Sequence, residues 1–383
     1  MERGYGVNRE MSSAAARAGM VAELQRTVAG LPNAIGAALA AVPREDFLPT
    51  EIPVELAYAD KPVTLAVGDD GFPLSTASQP TMVAAMLDQL AAEPGDRILE
   101  IGTASGYNAA LLHHLVGADG RVYSVEIDPS LAAAAETRLR ELGLPVDVHV
   151  GDGWDGLRAA APFDRIIATV GVFDLSPRWL DQLREGGTLV APLWLRPGIE
   201  LSVRFSKTDG VLVGRSAVHC AFLRLRGEHA GPDSYRSITD TQFATCEGLS
   251  AERLDTLRTL LATTPSTEPI PTLPEHWFAT LALHDPRAIQ VFTLADPVDI
   301  SFGLLDADQH SLVLIGGDGL RSYGGPSARD ELNIALAQMH PIDPAQLTIT
   351  ATPIARPEPS SPDSESTVTI VRRHFRYTIE DRR

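Results

Sequence analysis

Three carboxylates stand where chemistry could be done. Glu100, Glu126 and Asp152 each close an apolar run, in "RILEIG", "RVYSVEID" and "VDVHVGDG". Between the first and second lies a turn of small residues, "GTASGYN" at 102–108. Its Gly102 and Gly106 allow tight backbone turning and the close approach of a ligand. Glu126 follows Gly106 by twenty positions, the place from which an acid accepts both hydroxyls of a ribose.

Two cofactor classes fit this much. A dinucleotide needs a seat for its pyrophosphate, usually with a third glycine for helix packing. S-adenosyl-L-methionine has no phosphate and carries an ammonium group that an acid can hold. Glu100, inside the end of the opening strand, would be badly placed beside a pyrophosphate and suits a cation. A hydride-transfer enzyme would need an acid/base set after the loop, and none follows. Cys220 and Cys246 are too few and too isolated for a disulfide framework or a thiolate zinc site, so no metal is expected.

These residues need elements to position them. Residues 12–42 carry Leu24, Val28, Leu31, Ile35 and Leu39 at helical spacing, divided by Pro32. Residues 80–92 read as a helix opened by Pro80. Strands then alternate with helices: 96–102, 106–117, 120–128, 129–142, 146–153, 163–171, a helical 179–187 and a strand at 188–194. That alternation means right-handed βαβ units and a parallel sheet with helices on both faces. In such a sheet, ligands sit at the carboxyl ends of the strands, where all three acids fall. Beyond "EHAGPDSYR" (228–236) the pattern changes to a helix at 250–262, a Pro/Thr-rich link at 263–274 and several β-like runs. A helix at 328–340, an exposed loop at 353–366 and one final strand at 367–379 complete the chain.

Hydrophobic residues make up 44% and charged residues 21%, the range of a globular chain with a buried core. The net charge of −18 argues against general nucleic-acid binding, which relies on basic surface. No apolar run reaches the roughly 20 residues needed to span a bilayer, so no membrane partner is expected. The first residues, "MERGYGVNREMSSAAARAGM", lack the apolar stretch of a secretory signal, and a cytoplasmic location is the expectation.

Eight segments occur in order: "VPREDFLP", "AYADKPV", "STASQP", "LEIGTASGYNAALL", "GRVYSVEID", "VGDGWDG", "FDRIIATVG" and "LDQLREGGTLVAPL". Over about residues 40–225 they closely resemble the protein-L-isoaspartate O-methyltransferases. The resemblance implies a Rossmann-type α/β methyltransferase domain, S-adenosyl-L-methionine as cofactor and a peptide carboxylate as methyl acceptor. It also implies the site residues. The family's functional serine maps to Ser78, read as orienting the acceptor, with a helix N-cap as the alternative role. Thr76, Ala77 and Ser78, then Glu100, Gly102, Thr103, Ala104 and Gly106, then Glu126, Ile127, Asp152, Gly153 and Thr169 are the expected cofactor contacts.

The chain departs from the family in two places. Ala104 replaces a third small-loop glycine, and ordinary φ/ψ is expected there. The end of the fourth strand reads "TVGVFDLSP" (169–177) where alanines are usual. With an extension of about 150 residues, this resembles the members that tailor ribosomally made peptides such as lanthipeptides and graspetides. The leading expectation is therefore methylation of an aspartyl carboxylate in a cyclised precursor peptide, closing to a succinimide or isoaspartate. The alternative is repair of isoaspartyl residues in damaged proteins; a third reading is a peptide-binding module without turnover. The expected division is a methyltransferase domain at 1–230 and a smaller α+β domain at 231–383 that recognises substrate.

Overall fold

The computed structural model describes residues 12–382 except 29, 69–70, 233–234, 295–298 and 358–366. Helices α1 (Ser13–Thr27), α2 (Asn33–Ala41) and α3 (Val54–Ala57) precede a hairpin of β1 (Val63–Val67) and β2 (Pro73–Ala77). There follow α4 (Pro80–Leu90), β3 (Arg97–Ile101), α5 (Tyr107–Val116), β4 (Arg121–Glu126), α6 (Pro129–Glu141) and β5 (Val146–Val150). Next come β6 (Phe163–Ala168), α7 (Pro177–Gln182), β7 (Leu183–Arg196), β8 (Ile199–Thr208) and β9 (Val211–His219).

A second set begins with β10 (Arg236–Ser237), β11 (Gln242–Cys246), α8 (Ala251–Leu261), β12 (Ser266–Glu268) and α9 (Trp277–His284). It continues through β13 (Ala288–Thr293), β14 (Asp299–Leu305), β15 (Ser311–Gly316), β16 (Gly319–Gly324) and α10 (Ser327–Gln338). The described chain ends in β17 (Leu347–Pro353), β18 (Thr367–Val371) and β19 (Phe375–Asp381).

Local chemistry explains the elements around the cleft. Pro80 opens α4 at its first turn, and Asp60 caps it from outside, taking the Thr81 N–H and hydroxyl at 2.8 Å each. Asp128 caps α6 through the Ser130 and Leu131 amides, with Pro129 beginning the helix. In β3, Ile98, Leu99, Glu100 and Ile101 are all buried, the continuous pattern of a strand covered on both faces.

The α/β architecture is as expected: β3, β4, β5, β6 and β7 pair in parallel in the order β7-β6-β3-β4-β5. A second, antiparallel sheet has the order β10-β11-β13-β14-β15-β16-β12. Three features differ from the sequence reading. Residues 179–187 are not one helix, since α7 ends at Gln182 and Leu183 starts the long β7. The basic run "RRHFR" is not inside a single strand; it contains the turn between β18 and β19.

Most important, the chain returns after the second sheet. β17 pairs with β9, and β19 and β18 follow, so the first sheet has ten strands in the order β18-β19-β17-β9-β8-β7-β6-β3-β4-β5. Residue 230 therefore does not divide the two sheets. Phe278 and Ala282 of α9 pack in the same core as Leu195 and Leu201, so the second unit is fused to the first by apolar packing.

Candidate active site

Strand order diverges at β3: β4 and β5 lie to one side, β6 and β7 to the other. A crevice at the carboxyl ends is the geometric result. The cleft found there encloses about 1040 Å³, its open mouth included. Thr76, Ala77 and Ser78 line it from the end of β2; Gly102, Thr103 and Ala104 from the loop after β3; Glu126 and Ile127 from the end of β4. Gly153 and Thr169 also reach its wall.

The loop is shaped by positive φ angles. Gly102 sits at φ +98°, where a Cβ would come within 2.8 Å of Thr169 Oγ1 and 3.0 Å of Val170 Cγ1. Ala104 departs from expectation, adopting the left-handed region at φ +47° rather than ordinary φ/ψ. An L-residue there costs about 1–2 kcal/mol. The turn aims the Ala104 N–H at Glu126 Oε2, 2.9 Å away, which offsets part of that cost.

Glu126 is buried yet faces the cleft. Its Oε1 accepts from the Asp128 amide at 3.1 Å and from Arg226 Nη2 at 3.4 Å. The carboxylate is thus fixed by three donors at the cavity wall.

Three expected residues are not in the wall. Glu100 lies beneath the loop, wholly buried, with its carboxyl taking Ser124 Oγ at 2.5 Å and Asn108 Nδ2 at 2.8 Å. It does not line the cleft itself; it holds Asn108, which does. Gly106 takes φ +87° at the start of α5 and keeps the helix close to α6, where a Cβ would meet Leu139 at 3.3 Å. Asp152 caps the short turn after β5 through the Trp154 amide at 2.9 Å. Trp154 is buried against Trp179 and His229, away from the cavity wall.

Burial pushes the Glu100 carboxyl up to about 7, against the opposing pull of its two hydrogen bonds. Because the folded value is raised, its contribution to stability is fully present below the unfolded value near 4.5 and is lost as pH rises through about 7. Each unit in that window removes at most about 1.4 kcal/mol. Unfolding in denaturant between about pH 5 and pH 8 checks this: Glu100→Gln should gain on the parent as pH rises. A difference that stays constant with pH would remove the burial argument.

The sequence reading missed one whole wall. Residues 222–226 run beside the end of β6, with the Gly171 amide donating to Leu223 O at 2.8 Å and the Leu225 amide to Gly171 O at 2.9 Å. Phe222, Leu223, Arg224, Leu225 and Arg226 all line the cleft. "FLRLR" alternates like any strand end, and nothing in its spacing ties it to β6 fifty residues earlier. Arg224 lies 3.7 Å from the centre of the Trp194 ring, and burial lowers its pKa.

On the other side, Ser78 is placed by its backbone. Buried Arg44 donates from Nη2 to Ser78 O at 2.8 Å and from Nε to Ala57 O at 2.9 Å. The N-cap of α4 is Gln79, with no side-chain capping bond, so the expected alternative of Ser78 as the helix cap does not hold. His113 and His114 lie on α5 and do not line the cavity.

Comparison with known proteins bears on this cleft. The family described as protein-L-isoaspartate(D-aspartate) O-methyltransferase matches residues 15–230. A protein-L-isoaspartate O-methyltransferase of Ignicoccus hospitalis is 39% identical over 50% of this chain and 88% of its own length. One of Methanopyrus kandleri is also 39% identical, over 51% of this chain and 84% of its own. A solved protein-L-isoaspartate O-methyltransferase superposes with a TM-score of 0.54 at 26% identity, covering 87% of this chain and 96% of itself. Coverage of 87% cannot be reached without most of residues 231–383, so that solved chain has a counterpart of the extension as well.

Proposed function

Because the chain belongs to the protein-L-isoaspartate(D-aspartate) O-methyltransferase family, a family of S-adenosylmethionine-dependent enzymes, we propose that it methylates the free carboxylate of L-isoaspartyl residues in proteins or peptides. The observation that carries this reading is the family match over residues 15–230, which contain nearly the whole cleft. The tailoring of a cyclised precursor rests on the 169–177 segment together with the extension. A solved isoaspartate methyltransferase that covers 87% of this chain supports the isoaspartyl reading for a chain with such an extension.

The residues fit the cofactor. Gly102 leaves a cradle that a Cβ would fill, Glu126 puts a carboxylate in the wall at the end of β4 that can take a ribose diol, and Ile127, Val170 and Leu225 give apolar walls. When bound, the cofactor supplies an electrophilic methyl on a positively charged sulfur. An α-carboxylate has an ordinary pKa near 3.5, so it arrives ionised and needs no general base. Opposite charges are neutralised as the ester forms, and low-dielectric walls favour that step over the same encounter in water. Ser78 is assigned to hold the acceptor carboxylate, and Asn108, fixed by Glu100, to the methionine end of the cofactor.

The test is a pair of peptides differing only in an aspartyl or isoaspartyl linkage, with a cyclised aspartate-containing peptide as the third substrate. Methyl ester on the isoaspartyl peptide alone is expected. Ester on the cyclised aspartate alone would restore the tailoring reading. For Glu126→Ala, loss of hydrogen bonds to a charged acceptor should weaken cofactor binding by about 10- to 100-fold in calorimetry. Unchanged affinity would remove the ribose assignment.

A further inference from the structure

The chain carries a net charge of −18, yet the acceptor proposed above is an anion. A group near Ser78 that can become cationic would offset that repulsion locally. Arg44 gives Nε and Nη2 to backbone carbonyls, Arg226 reaches Glu126, and Arg224 of the first cleft stacks on Trp194. A second cavity opens on the far side of Ser78: Ser78, Thr76 and Phe222 line both it and the first cleft. Its other walls are Pro62, Gln79, Met82, Ala221, Cys220 and His219. Among the described residues no carboxylate lines it, and burial together with Glu200 keeps the Cys220 thiol protonated.

His219 closes β9 and meets a partner from the second unit. The His276 ring lies 5.2 Å from it, centre to centre, at an interplanar angle of 33°. His276 begins α9 with its backbone in the left-handed region, φ +53°, a conformation that persists where surroundings impose it. We propose that this second cavity receives the acceptor, and that His219 and His276 form a cationic pair that draws in its carboxylate, so that the second unit takes part in substrate recognition. The inference rests on the methyl-transfer reading above and deepens it.

Among the described residues, these titratable groups face His219. From α9 come His276 and its neighbour Glu275, 3.7 Å from His276 Nε2. From its own sheet come Glu200 and Cys220. Pro62, Thr76, Ser78, Gln79 and Met82 do not titrate. Although His219 keeps an exposed face, partial desolvation and the facing His276 hold its pKa below the ordinary value. A bound carboxylate stabilises the protonated ring and raises that value. Binding is then tightest at acid pH and weakens as pH rises through the histidine range, while the acceptor stays ionised throughout.

The full-length protein is tested with an isoaspartyl peptide and with the same peptide carrying a neutral α-carboxamide. Between about pH 5.5 and pH 8, the carboxylate peptide should lose about tenfold in affinity, while the amide should not change. In turnover, KM should rise over the same range with kcat within about twofold after correction for cofactor saturation. His219→Gln and His276→Gln should each flatten the KM profile while leaving cofactor affinity unaltered. Equal pH dependence for both peptides, or a KM profile the same in parent and variants, overturns the proposal. Absence of ester on the isoaspartyl peptide at every pH would instead overturn the functional reading on which it rests.

Discussion

A chain ended at residue 230 is expected not to fold. Truncation there removes β17, β19 and β18, and leaves β9 as an exposed edge through residues 212–214, which pair with 349–351 in the intact sheet. Bare edges of that kind template aggregation. Ile349, Ala351, Phe375, Tyr377 and Ile379 are each at most 1% exposed and would leave the core. At about 1.5–3 kcal/mol for each large apolar side chain, the loss is on the order of 10 kcal/mol, comparable to the whole stability of a domain. The Tyr377 hydroxyl adds to it, donating to Asp174 at 2.7 Å and accepting from the Leu175 amide at 2.8 Å beneath α7. Phe278 and Ala282 would be lost from the same core. Soluble yield and thermal unfolding check this. A soluble 1–230 fragment that melts cooperatively near the temperature of the whole chain would mean the C-terminal strands are accessory.

The Ignicoccus relative is matched over 88% of its length by half of this chain, so a shorter version of the family exists. In this protein Leu212, which pairs with Ala351 of β17, and Phe205 in the same core are fully buried. A division at residue 230 is invisible to this dependence, because pairing of β17 with β9 joins segments more than 130 residues apart. Local periodicity carries no information on such a register. For the same reason the wall at 222–226 went unseen, while the wall at 102–108 was legible: its function is written in adjacent glycines.

Where the sequence reading went wrong in detail, tertiary packing overrode local preference. Ala104 looks incompatible with a left-handed turn, yet the Glu126 contact and the packed loop hold it there. Glu100 looks like a ligand-facing acid because it ends a strand. Side chains alternate across a strand, and its turn of the pleat points under the loop, to Ser124 and Asn108. Residues 179–187 carry helical spacing at first, but Gly186, at φ +71°, turns the chain in the register break between Leu183 and Thr188, after which β7 pairs with β6 and β8.

Ser78→Ala should lower kcat/KM for an isoaspartyl peptide by about 10- to 100-fold, the loss of one hydrogen bond to a charged acceptor. Cofactor affinity should stay within about twofold, because Ser78 reaches the shared partition of the two cavities rather than the Glu126 end. Stability should hardly move. The α4 N-cap carries no side-chain bond, Asp60 caps the helix through Thr81, and Arg44 fixes the Ser78 carbonyl whatever the side chain. That combination separates an orienting hydroxyl from a structural one in a single preparation: turnover falls while melting temperature and cofactor binding hold. If the variant instead melts early and each folded molecule turns over as the parent does, Ser78 serves the fold, and the acceptor carboxylate is held by another group on the partition.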